Sequence, residues 1–416
     1  MKRLVLATLL GAPLALSTHA AHAAAAAATD KVGDKVTVSV QHDLAIARPS
    51  ETIAIAWKDV NAALPGAMIQ KIAVKDASGR VLPHQVTNIA PQAKDPNNEG
   101  IAYGELLFQH SFAAGEKSAS FTIERIDGVA PPFPVKAFAR HIPERLDDFA
   151  WENDKVAHRT YGPALAAPAP AGVVKEVLVT SGLDLWFKRV DYPIVDRWYN
   201  KGHDHYHKDQ GEGMDMYNVG KSRGAGGAGI WDGKTLHTGV NWASYKILAN
   251  GPIRAVFELH YAPWDAGGRQ VSEVKRFTVD AGHWLDRIDS TFTTSAGDAA
   301  PLTVAIGLNK TPSDKGQDPK IQVGREGKVL LQWVEQKSND AFGTAVVLPS
   351  AEGFAQDPLN ELIYAKATPG QPLRYYAGGA WSRAGEITSR AKWQQVTQDQ
   401  AARDASPVRV SLAKQR

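Results

Sequence analysis

The chain has 416 residues, a formal net charge of +3 and no cysteine. The absence of thiols excludes disulfides, thiol catalysis and cysteine-held metals, so stability has to come from core burial. The charge is small and dispersed, with no basic stripe or tail, which argues against nucleic acid as a partner.

Lys2 and Arg3 precede a short apolar stretch, Leu4 to Leu16, and Ala21-His22-Ala23 has the small-x-small form of a cleavage site. Residues 1–23 therefore read as a signal peptide cut after Ala23, followed by an alanine-rich start at 24–34. The expected location is the periplasm or the cell exterior. No later segment reaches the roughly 18 apolar residues that a membrane span needs, so no insertion is expected. From 35 to 130, KVTVSVQ, TIAIAWK and SASFTIERI alternate apolar and polar residues, the pattern of an N-terminal β-sandwich. The run GVAPPFP at 128–134 marks a boundary. Residues 140–416 read as a larger antiparallel β-sandwich carrying the site, so the fold class is all-β. Its longest expected strands are Pro252 to Tyr261, Val271 to Val279 and Trp284 to Thr294. Arg254, Glu258 and His260 share one face, and Lys275 lies opposite Arg276, which predicts a broad sheet whose polar face is a cleft. Helical periodicity is confined to Ala391 to Ala402.

The stretch from Asp191 to Trp231 stands apart. It is dense in histidines, acids, aromatics and glycines and nearly lacks apolar runs, the composition of a loop that carries chemistry. His203, His205 and His207 form H-x-H-x-H; in an extended chain alternate side chains share a face, so these three are the metal candidates. No resident cofactor is expected, with calcium or another divalent metal as the open alternative. His207 alone suits a base near neutral pH. Asp209, Glu212 and Asp215 recur every three residues, as acid–base groups, oxygen ligands or a solvated turn. Gly224, Gly226 and Gly229 match G-x-G-x-x-G, but a hairpin sequence follows where a helix is required, so a dinucleotide site is rejected. Trp151, Trp198 and Trp231, with Tyr199 and Tyr206, are the aromatic faces for sugar rings. Lys188, Arg189 and Arg223 are the cations for a carboxylate.

Four segments, WENDKVAHRTYGPAL, SGLDLWFKRVDYPIVDRWY, YHKDQGEGMDMYNVGKSRGAGGAGIW and ANGPIRAVFELHY, resemble the DUF4861 family over nearly the whole mature chain. The matching residues are Trp151, Asn153, Asp154, Lys188, Tyr206, His207, Asp209, Glu212, Asp215, Arg223 and Trp231. The resemblance implies an exported bacterial protein of pectin or related polysaccharide utilisation, on a galactose-mutarotase-like supersandwich. It implies no particular reaction. The expectation is a polysaccharide lyase acting by β-elimination on an acidic oligo- or polysaccharide. His207 would be the base, Tyr206 or Tyr217 the proton donor, and Arg223 with Lys188 or Arg189 the carboxylate clamp. The alternatives are a glycoside hydrolase using two of Asp154, Asp209, Glu212 and Asp215, and a non-catalytic sugar-binding protein or epimerase.

Overall fold

The computed structural model describes residues 34–88 and 104–414, so the leader and the alanine tract lie outside the described residues. The chain is all-β, with every named strand pair antiparallel. Five strands form the first sheet of the N-terminal sandwich, in the order Arg409–Lys414, Lys35–Gln41, Ser118–Arg125, Ile72–Asp76 and Val81–Leu82. Arg48–Ala56, Glu105–Phe112 and His84–Thr87 form the second. The period-two pattern of KVTVSVQ buries Val36, Val38 and Val40 against Ile53, Ile55, Phe108 and Phe121. The chain's last strand thus returns to its first, pairing Val36 with Lys414 and Gln41 with Arg409, a long-range closure that local pattern does not disclose.

The second sandwich opposes one broad sheet to two smaller ones. The broad sheet has eight strands, in the order Ser244–Ala249, Arg254–Asp265, Gln270–Asp280, Leu285–Thr294, Pro372–Trp381, Ala341–Val347, Val329–Glu335 and Lys320–Glu326. Across one shared core lie two five-stranded sheets. The histidine-side sheet runs Gly213–Asp215, Asp184–Lys188, Val156–Thr160, Asp148–Glu152 and Phe138–Ile142. The glycine-side sheet runs Leu236–His237, Ala225–Trp231, Leu302–Asn309, Asn360–Ala367 and Gly353–Gln356. A parallel bridge between Leu183 and Gly224 joins them. Gly224 has φ +58°, and a Cβ there would lie 2.0 Å from the Leu183 carbonyl oxygen, so glycine is required by the join and not by a ligand.

The expected terminal helix spans Arg390–Ala405, with the Ser389 side chain accepting a hydrogen bond from Lys392 N. It packs on the outer face of the broad sheet and sinks Trp393 over Gly343. Gln85 ties the two sandwiches together, donating to Arg254 O at 2.8 Å and accepting from Ile253 N and Arg254 N. No described helix is long and apolar enough to cross a membrane.

Two expectations change. The polar face of the long strands is not the main cleft, because Glu273 and Lys275 point into the core while Glu258 and Arg276 pair with each other on the opposite face. The stretch from Asp191 to Trp231 is not one loop. It supplies two short helices, Val195–Lys201 and His203–Tyr206, and then the buried strand Ala225–Trp231, whose glycines admit the neighbouring backbone.

Candidate acid–base cavity

The histidine-side sheet shows why the site forms. Residues two apart on a strand share a face. Arg159 sits opposite Asp184 on one neighbour and Ala150 on the other, while Asp215 sits opposite Trp186. Asp148, Arg159, Asp184 and Asp215 therefore meet on one face, beneath the two short helices. Above Asp215 and Arg159 opens a cavity of about 690 Å³, walled also by Arg145, Tyr161, His203, His207, Lys208, Asp209, Tyr217 and Arg383.

Arg159 is the hub. Its Nε donates to Asp184 Oδ2 at 2.7 Å and its Nη2 to Asp215 Oδ2 at 2.9 Å, while Asp148 Oδ2 lies 3.5 Å from Nη1. The guanidinium also faces the rings of Trp186, Tyr161 and Tyr206 at 5.3 to 5.7 Å. Three buried carboxylates around one cation cannot all be ionised cheaply. Asp184 accepts from Tyr161 Oη and Leu185 N as well as from Arg159. Burial, reinforced by the charge of Asp184, holds Asp215 well above the usual carboxylate range, with Arg159 opposing. Burial pushes Asp148 up to about 6 despite Arg159 and Arg145.

His207 completes the arrangement. Its Nδ1 lies 2.9 Å from the His203 carbonyl, which can only accept, so Nδ1 carries the proton in the neutral ring. Nε2 then presents a lone pair to Asp215 Oδ2 at 3.5 Å. Burial lowers the His207 pKa below the ordinary imidazole value. Burial thus favours the neutral form of both groups at the cavity wall, the arrangement of a base and an acid side by side.

The structure brings His207, Asp209, Asp215 and the Tyr217 ring to this cavity. Asp209 is fastened at the rim between Arg189 Nη1 at 2.8 Å and Arg383 Nη1 at 3.2 Å, so Arg189 is committed as well. Glu212 lies elsewhere and pins the helix Val195–Lys201 through Arg197, Tyr192 and Trp198. Asp154 pairs with Lys136. The hydroxyls of Tyr206 and Tyr217 are shut away from solvent, as the Asp215 carboxyl is. Tyr206 is stacked on Trp186 with centroids 4.8 Å apart.

The expected sugar-stacking faces Trp151 and Trp198 are core residues, each 1% exposed, and Tyr199 gives its hydroxyl to Asp148. Trp198 and Tyr199 fill the space between the short helices and the sheet, whereas Trp151 lies in the core between the sheets against Phe257 and Phe277. Lys188 is buried on Glu152, with Nζ–Oε2 of 2.6 Å. Arg223 is buried inside the sandwich, where Nη1 donates to Ser181 Oγ at 2.7 Å, so it is no clamp for a ligand in the cavity. Trp231 lines a separate groove.

His203, His205 and His207 do not converge as an extended chain would make them. They sit on a helical turn, which stacks the rings of His203 and His207 and turns His205 aside. Among the described residues no group of three or more His, Asp or Glu side chains has the arrangement to hold a metal. Sequence reasoning passed over Asp148, Arg159 and Asp184. Their signal is a lone charge inside an apolar run, as in SGLDLWF and VAHRTY, where a buried charge needs a partner.

An all-β double sandwich with a carboxyl–imidazole couple at the wall of a cavity is the class of protein these features define. Residues 40–410 match the family described as Domain of unknown function (DUF4861), and the chain belongs to that family. A protein of Formosa agariphila, described as Uncharacterized protein P7, is 30% identical over 386 residues, covering 90% of this chain and 93% of that one. Two solved structures from Enterococcus faecalis superpose on 91% of the chain at 10% identity. An alpha-mannosidase gives a TM-score of 0.45, and a protein in the glycosyl hydrolase family 38 gives 0.42. The chain spans about half the length of these two, 46% and 47%.

Proposed function

We propose that this protein is a carbohydrate-active enzyme that cleaves acidic saccharides by β-elimination. The observation that carries the reading is the His207–Asp215 couple, one neutral base and one protonated acid on the same cavity wall. Arg145 and Arg383 are paired with Glu176 and with Asp209 and Asp340, so Lys208, which has no ion-pair partner among the described residues, is the wall cation that suits a uronate carboxylate and would stabilise the negative charge that builds up as its α-proton leaves. His207 Nε2 takes the C5 proton. The C5–H electron pair becomes the C4–C5 double bond, the C4–O bond breaks, and the leaving oxygen takes the Asp215 proton. The couple is then restored by proton transfer from His207 to Asp215.

The assay is ultraviolet absorbance of the new double bond on incubation with pectic and other uronate oligosaccharides. Growth of that signal, abolished in His207→Ala, supports the reading, and silence across uronate substrates overturns it.

Glycoside hydrolysis is the second reading, favoured by the raised pKa of Asp215, the property a general acid needs. Of the four carboxylates first considered for it, Asp215 alone is both held above the usual range and beside His207, which would orient water, whereas the ion pairs of Asp209 and Glu212 hold them below that range and Asp154 pairs with Lys136. New reducing ends without new absorbance would select hydrolysis over elimination.

A further inference from the structure

Nine of the chain's eleven tryptophans are buried. The two others are Trp231 and Trp284, both partly exposed. Trp284 carries the Lys155 ammonium over its ring at 5.4 Å. Trp231 has neither an aromatic neighbour nor a cation over its ring among the described residues. A partly exposed indole that lines a groove and has no ring or cation stacked on it offers a face on which a ligand ring can stack.

Its setting is built by strand register. Ile230 pairs with Val304 and Thr303 with Lys366, so Trp231, Thr303 and Lys366 form a row on the outer face of the glycine-side sheet. Tyr364 lies two residues from Lys366 on the same face. Its hydroxyl end occupies the space over Gly353, where a Cβ would come within 2.6 Å. Trp231 and Tyr364 both line a groove of about 500 Å³ that shares no residue with the acid–base cavity.

The groove's rim is polar and of mixed sign. Asp232 is held by His237 at 2.8 Å, Arg269 by Asp298 at 2.7 Å, Lys366 donates to Thr303 Oγ1 at 2.7 Å, and Glu352 adds a carboxylate. Two aromatic side chains with a polar rim of both signs match a ligand that is apolar on its ring faces and rich in hydroxyls around its edge.

We propose that this groove is a second saccharide-binding site, which holds a stretch of polysaccharide chain away from the acid–base cavity. The inference rests on the carbohydrate reading of the protein and adds a non-catalytic contact with the polymer.

Native gel electrophoresis with polygalacturonate, or with an uncharged galactan, cast into the gel tests it. Wild type should be retarded in at least one gel. Trp231→Ala should raise the dissociation constant read from retardation about tenfold, the loss of one stacked ring. Tyr364→Ala should do the same to a lesser degree, and Trp231→Phe, which keeps a ring, should retain most of the retardation. Thermal melts matching wild type show that the variants fold. Unchanged retardation of both alanine variants, or no retardation of wild type in either gel, overturns the proposal. Retardation through Trp231 without any saccharide turnover would overturn the catalytic reading and leave this groove standing.

Discussion

The cluster around Arg159 and the pair Glu273–Lys275 both take charges out of water, yet they are built differently. Glu273 and Lys275 lie in the core of the second sandwich, one carboxylate against one ammonium, with the Tyr261 ring 5.1 Å from Lys275 Nζ and no route to solvent. The Arg159 cluster sets three carboxylates against one guanidinium and touches a cavity. A balanced, closed pair is architecture. An unbalanced cluster that opens onto space keeps a proton it can give away, and that surplus distinguishes a site from an ordinary buried ion pair.

Breaking the hub should do most damage. Arg159→Leu leaves Asp148, Asp184 and Asp215 buried without their common cation and should cost about 3–5 kcal/mol in urea unfolding at neutral pH. The loss should shrink in acid, where the carboxylates are protonated. A cost that does not vary with pH would mean that Arg159 acts by packing alone.

Asp148 sharpens the same contrast through linkage. Its folded pKa, about 6, lies above the ordinary value of 3.8, so the fold favours the neutral carboxyl. The stability this confers is complete below the unfolded value and is lost as pH rises through about 6. Wild type should therefore lose on the order of 3 kcal/mol between about pH 4 and pH 7 that Asp148→Asn retains. Parallel stability–pH curves for the two proteins would contradict this.

The closed pair should behave oppositely. Because the buried Arg223 also feels the charge of Glu273, the apolar replacement has to remove all three: Glu273→Leu with Lys275→Met and Arg223→Met should be neutral or stabilise by about 1–4 kcal/mol, because matched apolar groups avoid the desolvation of the ions. Saccharide turnover should be unchanged. A large loss of turnover in that triple variant would make the interior group part of the site.

The same contrast shows what was legible in the sequence. Period-two alternation revealed the strands, and the terminal helix over Arg390–Ala405 was visible from its spacing. His207 and Asp215 stood out because they lie in a polar, glycine-rich stretch. Asp148, Arg159 and Asp184 did not, because each sits in a strand with apolar neighbours and they meet only through register across three strands. Trp151, Trp198 and Arg223 were misread for the complementary reason. Polar and glycine-rich neighbours made them look exposed, whereas the glycines admit backbone, Trp198 fills the core beneath the short helices and Trp151 the core between the sheets. The pairing of the last strand with the first spans the whole chain, and no local pattern encodes it.

The central claim is that His207 and Asp215 form the reacting couple. Its most direct test is turnover of uronate oligosaccharides by wild type, His207→Ala and Asp215→Asn, followed by double-bond absorbance. The account predicts turnover by wild type and a fall of about 10²–10⁴-fold in both variants, as expected when a positioned acid or base is removed. Wild-type turnover retained in both variants would contradict it.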